Sequence, residues 1–167
     1  MISFDRTIET VIEPAELWRL VKQAFENTAE SPIWPVELEE KEPVTLAEGA
    51  VVEATYKVGP IKARPRYRIT AFDEEARRFS YAAASFHPLR GGATVEVLSR
   101  GEKSALRWYG DYRANWHPLA PGAVLFVKFY FLEHFFARLE EKIGLYGQVW
   151  TARKHGARPE VTGGARG

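Results

Sequence analysis

The segment from Pro121 to Ile143 repeats its apolar residues at a spacing that suits a helix. Leu125, Phe129, Leu132, Phe136, Leu139 and Ile143 follow one another at intervals of four and three, one unbroken stripe. Val124, Val127, Phe131 and Phe135 widen that stripe in its first half only. The pattern predicts one long helix over 121–143. Lys128, Glu133, His134 and Arg138 interrupt the apolar run, so it does not read as a membrane span. A helix with so broad an apolar face must bury it against something large, and the candidate partner is a sheet.

The rest of the chain supplies that sheet. Ile2, Phe4, Ile8 and Ile12 share one parity of an opening strand, with Ser3, Asp5, Thr7 and Glu9 on the other. Pro14 suits the first position of a helix, and Leu17, Leu20, Val21, Ala24 and Phe25 make its apolar stripe. Six strands are expected next, mostly joined by short turns: "PVELEEKEPVT", "AVVEATYKV", "IKARPRYRITAF", "RFSYAAAS", "ATVEVLSR" and "SALRWYGDYR". Pro65 implies a bend or a local loss of pairing in its strand. From Thr151 the chain loses periodicity and turns basic and glycine-rich, which reads as a tail.

Composition removes several function classes. There is no cysteine, which excludes a disulfide scaffold, a thiolate nucleophile and Cys-ligated metal. The net charge of +1 gives no sign of nucleic acid or an acidic surface as partner. The first ten residues lack the basic and apolar regions of a signal peptide, so the expected location is cytoplasmic. No HExxH or His-x-His spacing occurs, so no metal is expected, and no phosphate loop or serine nucleophile elbow is present. Aromatic residues reach 13%, enough either to fill a core or to line a cavity. The stripe Lys62, Arg64, Arg66 and Arg68 alternates with apolar residues and reads as an outward, solvated strand face.

Two stretches, "FHPLRGG" at Phe86 and "WHPLAPG" at Trp116, are spelled alike. In an antiparallel meander successive turns fall at alternating ends. That parity sets the turn at Gly59-Pro60 and the loops at His87 and His117 on one rim. Either histidine can serve as no more than a turn residue before proline, as an acid–base group, or as a polar contact for a ligand.

The opening strand leading to "EPAELWRLV", the strand and turn "GAVVEATYKVGP", the stretch "RYRITAFDEEARRFSY" and the terminal amphipathic helix together resemble the START/Bet v 1-like superfamily, also called SRPBCC, in its polyketide cyclase/dehydratase and lipid-transport-like branch. The resemblance implies an α+β helix-grip fold, a curved seven-stranded antiparallel sheet wrapped around a long C-terminal helix. It covers residues 1–145 and leaves 146–167 as a flexible basic tail. It also implies a cavity entrance framed by Gly59, Pro60, His87, Pro88, Trp116 and His117. Tyr56, Tyr67, Trp108 and Tyr112 would line its interior, with Phe126 and Phe129 of the helix opposite. On "RFSYAAAS", Phe79 and Tyr81 share one parity and Phe86 the other, which leaves the inward face open; Phe79 and Tyr81 join the candidate lining. The implied function is binding or transport of a small hydrophobic molecule such as a lipid, isoprenoid or aromatic compound. Two alternatives stand beside it: a polyketide cyclase/dehydratase-type enzyme with no cofactor, its catalytic residues undetermined, and an interaction module with a solid core.

Overall fold

The computed structural model describes residues 1–35, 42–53, 56–58, 61–84 and 87–156, the side chains of 56–58 and 61–63 excepted. Strand β1 (Ile2–Thr10) leads to helix α1 (Pro14–Glu26) and a single 3-10 turn, Thr28–Glu30. Strands β2 (Val51–Glu53), β3 (Tyr56–Val58), β4 (Ile61–Ala63), β5 (Arg66–Asp73), β6 (Arg78–Ala83), β7 (Leu89–Arg100) and β8 (Lys103–Ala114) follow. A continuous helical rod then runs as α2 (Ala120–Phe126), a π-helical segment (Val127–Phe135) and α3 (Phe136–Lys154).

The main sheet has six strands in the order β1-β8-β7-β6-β5-β2, every neighbouring pair antiparallel, and β3 pairs with β4 apart from it. The seven strands expected become six because of two local features. The expected hairpin of "AVVEATYKV" and "IKARPRYRITAF" divides into β2–β5 and β3–β4, with residues 64 and 65 belonging to neither strand. Proline has no amide to give the ladder, and the pairing stops there. Within the charged stretch "PVELEEKEPVT", the described residues Glu42–Thr45 form no strand. They are held to the end of α1 instead: the Val44 N–H donates to the Glu26 carbonyl and the Leu46 N–H to the Glu26 carboxylate, both at 2.8 Å. The stretch has few apolar side chains with which to build a buried face.

One sheet face is the core. Phe4, Ile8, Ile69, Phe79, Tyr81, Val95, Val97, Leu106, Trp108 and Tyr112 are buried on it. This settles the parity of β6, whose Phe79 and Tyr81 point inward; Phe86, Gly59 and Pro60 lie outside the described residues. On β5 the register steps from Ile69↔Tyr81 to Ala71↔Ser80, so Thr70 is the extra residue of a bulge. The step turns Phe72 toward α1, where its ring lies 6.0 Å from that of Trp18. The outward side carries Arg64, Arg66 and Arg68, all exposed, as the alternation required.

Two helical layers cover the core face. Helix α1 buries Leu17, Trp18, Leu20, Val21 and Ala24. The rod is tied to it where the Tyr146 hydroxyl donates to the Glu16 carboxylate at 2.6 Å. Gly147 keeps α3 close to the end of β1, since a Cβ there would meet Val11 Cγ2 at 3.2 Å. The rod does not stop near Ile143 but continues to Lys154, so residues 146–154 of the expected tail are helix, with Trp150 half-buried. Tyr146 and Gly147 give that extension its anchorage. Among the described residues no helix is long and apolar enough to cross a membrane.

Candidate functional site

Where the sheet, α1 and the rod meet, aromatic rings fill the interior. The Trp108 indole lies 5.5–6.3 Å from the rings of Phe25, Tyr81, Phe131, Phe135 and Phe136. Phe79 stands next to Tyr81 and Trp18, and Tyr112 stacks on Phe4 at 6.1 Å. A polar group sits inside this cluster. The Tyr81 hydroxyl accepts from Trp108 Nε1–H at 2.9 Å and from the Tyr112 hydroxyl at 3.4 Å. Burial pushes the Tyr81 phenol up to about 12, against the two donated bonds, so it stays protonated at neutral pH.

An enclosed cavity of about 20 Å3 lies against this group, lined by Ala24, Phe25, Trp34, Val52, Tyr67, Ile69, Tyr81 and Trp108. It is room for one water-sized group. Of the residues read from the sequence as lining, Tyr67, Tyr81 and Trp108 stand together at this cavity, while Phe79 and Tyr112 form the packed shell around them. Tyr56 lies on β3, paired opposite Ala63 in the two-stranded sheet rather than in the main one. Among the described residues the lining contains no carboxylate, amine or imidazole. Such a site can hold and orient a molecule through its N–H and O–H groups; its described side chains include none that exchanges a proton near neutral pH.

The rod presents a different face from the one its spacing implied. In the π-helical segment each bond reaches five residues back, so a turn holds more than four residues. Val127, Phe131 and Phe135, four apart, therefore stay on one buried line that passes to Phe136, Leu139 and Ile143 in α3. Phe129, expected as a wall, is 59% exposed with the Lys128 ammonium 5.4 Å from its ring centroid. Phe126 is half-buried and stacks on Tyr130, which stacks in turn on His134. The wall facing Trp108 is Phe131, Phe135 and Phe136 instead.

The two histidine loops do share one rim. Asn115 joins them, its Nδ2 donating to the His87 carbonyl and its backbone N–H to the Pro88 carbonyl, both at 3.0 Å. His87 is 8% exposed, and its ring lies 5.4 Å from that of Tyr67. His87 Nδ1 accepts from the Leu89 N–H at 3.0 Å. The Leu89 carbonyl is 3.1 Å from the same nitrogen, but a buried amide left unpaired costs more than a carbonyl with a spare lone pair. The neutral ring therefore carries its proton on Nε2, which is buried without a partner among the described residues. Burial holds the His87 imidazole below the ordinary value of 6.5; the Leu89 carbonyl, which would accept from a protonated Nδ1, opposes this, and repulsion from His117 adds to it. Trp116 and His117 line an open cleft of about 690 Å3 with Asn115 and Pro121, outside the aromatic interior.

Trp34 is the lining residue that periodicity did not reveal. It stands between Pro32 and Pro35, where no strand or helix repeat exists to give its side chain a direction. The Ser31 hydroxyl accepts from the Ile33 and Trp34 amides at 3.3 and 3.2 Å, and that turn delivers the indole to the Phe25 and Phe135 rings.

Comparison with known proteins agrees with this architecture. Norcoclaurine synthase from Thalictrum flavum is similar at a TM-score of 0.63 and 13% identity, covering 90% of this chain and 86% of that one. Ara h 8.0201 gives 0.58 at 16%, with 85% and 97% covered. The protein XoxI from Bacillus cereus gives 0.62 at 16%, with 90% and 99% covered. These likenesses are of fold. No curated protein matches the chain. The family model for polyketide cyclase / dehydrase and lipid transport matches residues 1–143. With its antiparallel sheet, its long C-terminal helix and a match over most of its length, the chain belongs to the polyketide cyclase / dehydrase and lipid transport family, within the START/Bet v 1-like superfamily.

Proposed function

We propose that the protein binds a small hydrophobic molecule between the sheet and the helical rod. The observation that carries this reading is the enclosed cavity set among Tyr67, Tyr81, Trp108 and Trp34, in an interior otherwise packed with rings. Its present volume of about 20 Å3 admits no such molecule, so a wall must give. The lining residues Trp34 and Trp108 are backed by Phe131 and Phe135 of the π-helical segment, and that segment is suited to release them, because its longer hydrogen-bonded turns are found mainly at functional positions and in short pieces. Rewinding even part of it would swing Phe131 and Phe135 away from Trp108. Affinity would then come from apolar burial, roughly 25 cal/mol per Å2.

The test is titration with N-phenyl-1-naphthylamine, a neutral dye that brightens in apolar surroundings. Saturable one-to-one brightening is expected, weakened at least tenfold by Ala24→Leu, which fills the cavity from α1. The far-ultraviolet circular dichroism of that variant should match the parent. No saturable binding, or a folded Ala24→Leu protein that binds the dye unchanged, overturns the assignment.

A further inference from the structure

We infer that this interior site selects neutral molecules that carry an oxygen acceptor, a carbonyl above all, over plain hydrocarbons and over carboxylates. The inference rests on the interior binding proposed above and names its ligand class.

The argument is a count of donors and acceptors. The Tyr81 oxygen already accepts two hydrogen bonds, from Trp108 Nε1–H and from the Tyr112 hydroxyl. A phenol oxygen has two lone pairs, so its remaining capacity is its own O–H, and no acceptor for that proton is found among the described residues. Trp34 Nε1–H is buried without a partner among the described residues, and an indole nitrogen can only donate. Tyr81 and Trp34 are each 5% exposed, and both line the same cavity. On the rim side of Tyr67, His87 Nε2–H is a third buried donor without a partner among the described residues.

Buried polar groups in native proteins are nearly always paired, and two unspent donors on one cavity have a shared remedy. An oxygen atom, placed where about 20 Å3 stands empty, can accept from both. The identity of that oxygen is narrowed by charge. Among the described residues no cation lines the cavity, so a carboxylate there would be buried without a counter-charge, an arrangement far costlier than burying a carbonyl. A hydrocarbon would leave both donors unpaired in a drier interior. Sites built to hydrogen-bond a ligand reject analogues that lack the bonding group, often by a large factor. A trapped water is the competing occupant, since the space is water-sized.

The experiment compares three molecules with one ring skeleton: fluorene, 9-fluorenone and fluorene-9-carboxylate. Calorimetric titration of the full chain should give 9-fluorenone at least tenfold tighter than fluorene, with the carboxylate weakest. Tyr81→Phe should erase the preference while leaving fluorene binding in place. Trp34→Phe, which keeps a ring and deletes the N–H, should narrow it, and it serves as an independent variant if loss of the Tyr81 hydroxyl impairs folding. Equal binding of fluorene and 9-fluorenone overturns the inference and leaves interior binding standing, because a water then satisfies the donors. Tightest binding by the carboxylate overturns it as well. Failure of all three to bind overturns interior binding and this inference with it.

Discussion

The loops at His87 and His117 begin from the same three residues and reach different ends. In both, the leucine two positions on donates its N–H to histidine Nδ1, at 3.0 Å for Leu89 and 3.1 Å for Leu119. His-Pro-Leu thus closes the same small turn twice. After the turn, Arg90-Gly91-Gly92 carries the chain into β7, between β6 and β8, and His87 and Leu89 are buried with it. Ala120-Pro121 instead opens α2, and Leu119 is left 66% exposed and Trp116 wholly so. A short motif can decide its own hydrogen bond, but the element that follows decides whether the motif enters the core.

The glycines behind each loop offer the widest gap between the two. A Cβ on Gly92 would overlap the Tyr81 carbonyl oxygen and come within 2.9 Å of the Ala82 Cα, both backbone of the paired strand. Gly92→Ala should therefore cost about 3 kcal/mol, because strands rather than side-chain tips must move. Gly122, in the first turn of α2, has open space where a Cβ would go. Gly122→Ala should stabilise by about 0.5–1 kcal/mol through helix propensity alone. Urea denaturation of the two variants measures both. A Gly92→Ala protein as stable as the parent would mean that β6 and β7 do not approach as described.

Next in size is a dependence on pH that belongs to one loop. His87 is neutral in the folded protein because burial, aided by His117, holds it below the ordinary 6.5. The unfolded chain then binds the proton more readily, so the His87 contribution is fully present above pH 6.5. It is lost as pH falls below that value toward the depressed folded one, by at most about 1.4 kcal/mol per pH unit. Unfolding free energies from pH 7.5 to 5 should fall for the parent and flatten for His87→Gln. His117→Gln removes one depressing influence and should shrink the slope without abolishing it. A parent and a His87→Gln variant with parallel profiles would place the pH response elsewhere.

Much of this architecture was legible in the sequence because it repeats. The alternation in β1, β5 and β8, the stripe of α1, the break at Pro65 and the shared rim of the two loops all follow from periods and parities. The π-helical segment did not, for a definite reason. With Phe at 126, 129, 131, 135 and 136, an apolar residue stands ready at nearly every phase, so the α spacing through Phe129 and the wider spacing through Phe131 and Phe135 look alike. Trp34 was hidden for the opposite reason, since no repeat surrounds it. The unspent donors of Tyr81 and Trp34 were beyond any sequence pattern, because being unpaired is a property of neighbours in space.

The smallest effect tests the exposed side of the comparison. Trp116 is the largest side chain of its loop and is fully exposed, and what holds its backbone is the N–H donated to the Asn115 side-chain oxygen at 2.9 Å. Trp116→Ala keeps that bond and keeps the Leu119 N–H on His117. It should therefore change the unfolding free energy by no more than about 0.5 kcal/mol, measured beside the parent in the same urea series. A loss above about 1.5 kcal/mol would mean that the indole packs in solution as the His87 loop does, and the contrast between a buried and an exposed copy of one turn would fail. A near-zero change would keep the contrast and sharpen it: the same turn tolerates a bulky ring at its entrance when a helix follows, because nothing downstream pulls that ring inward.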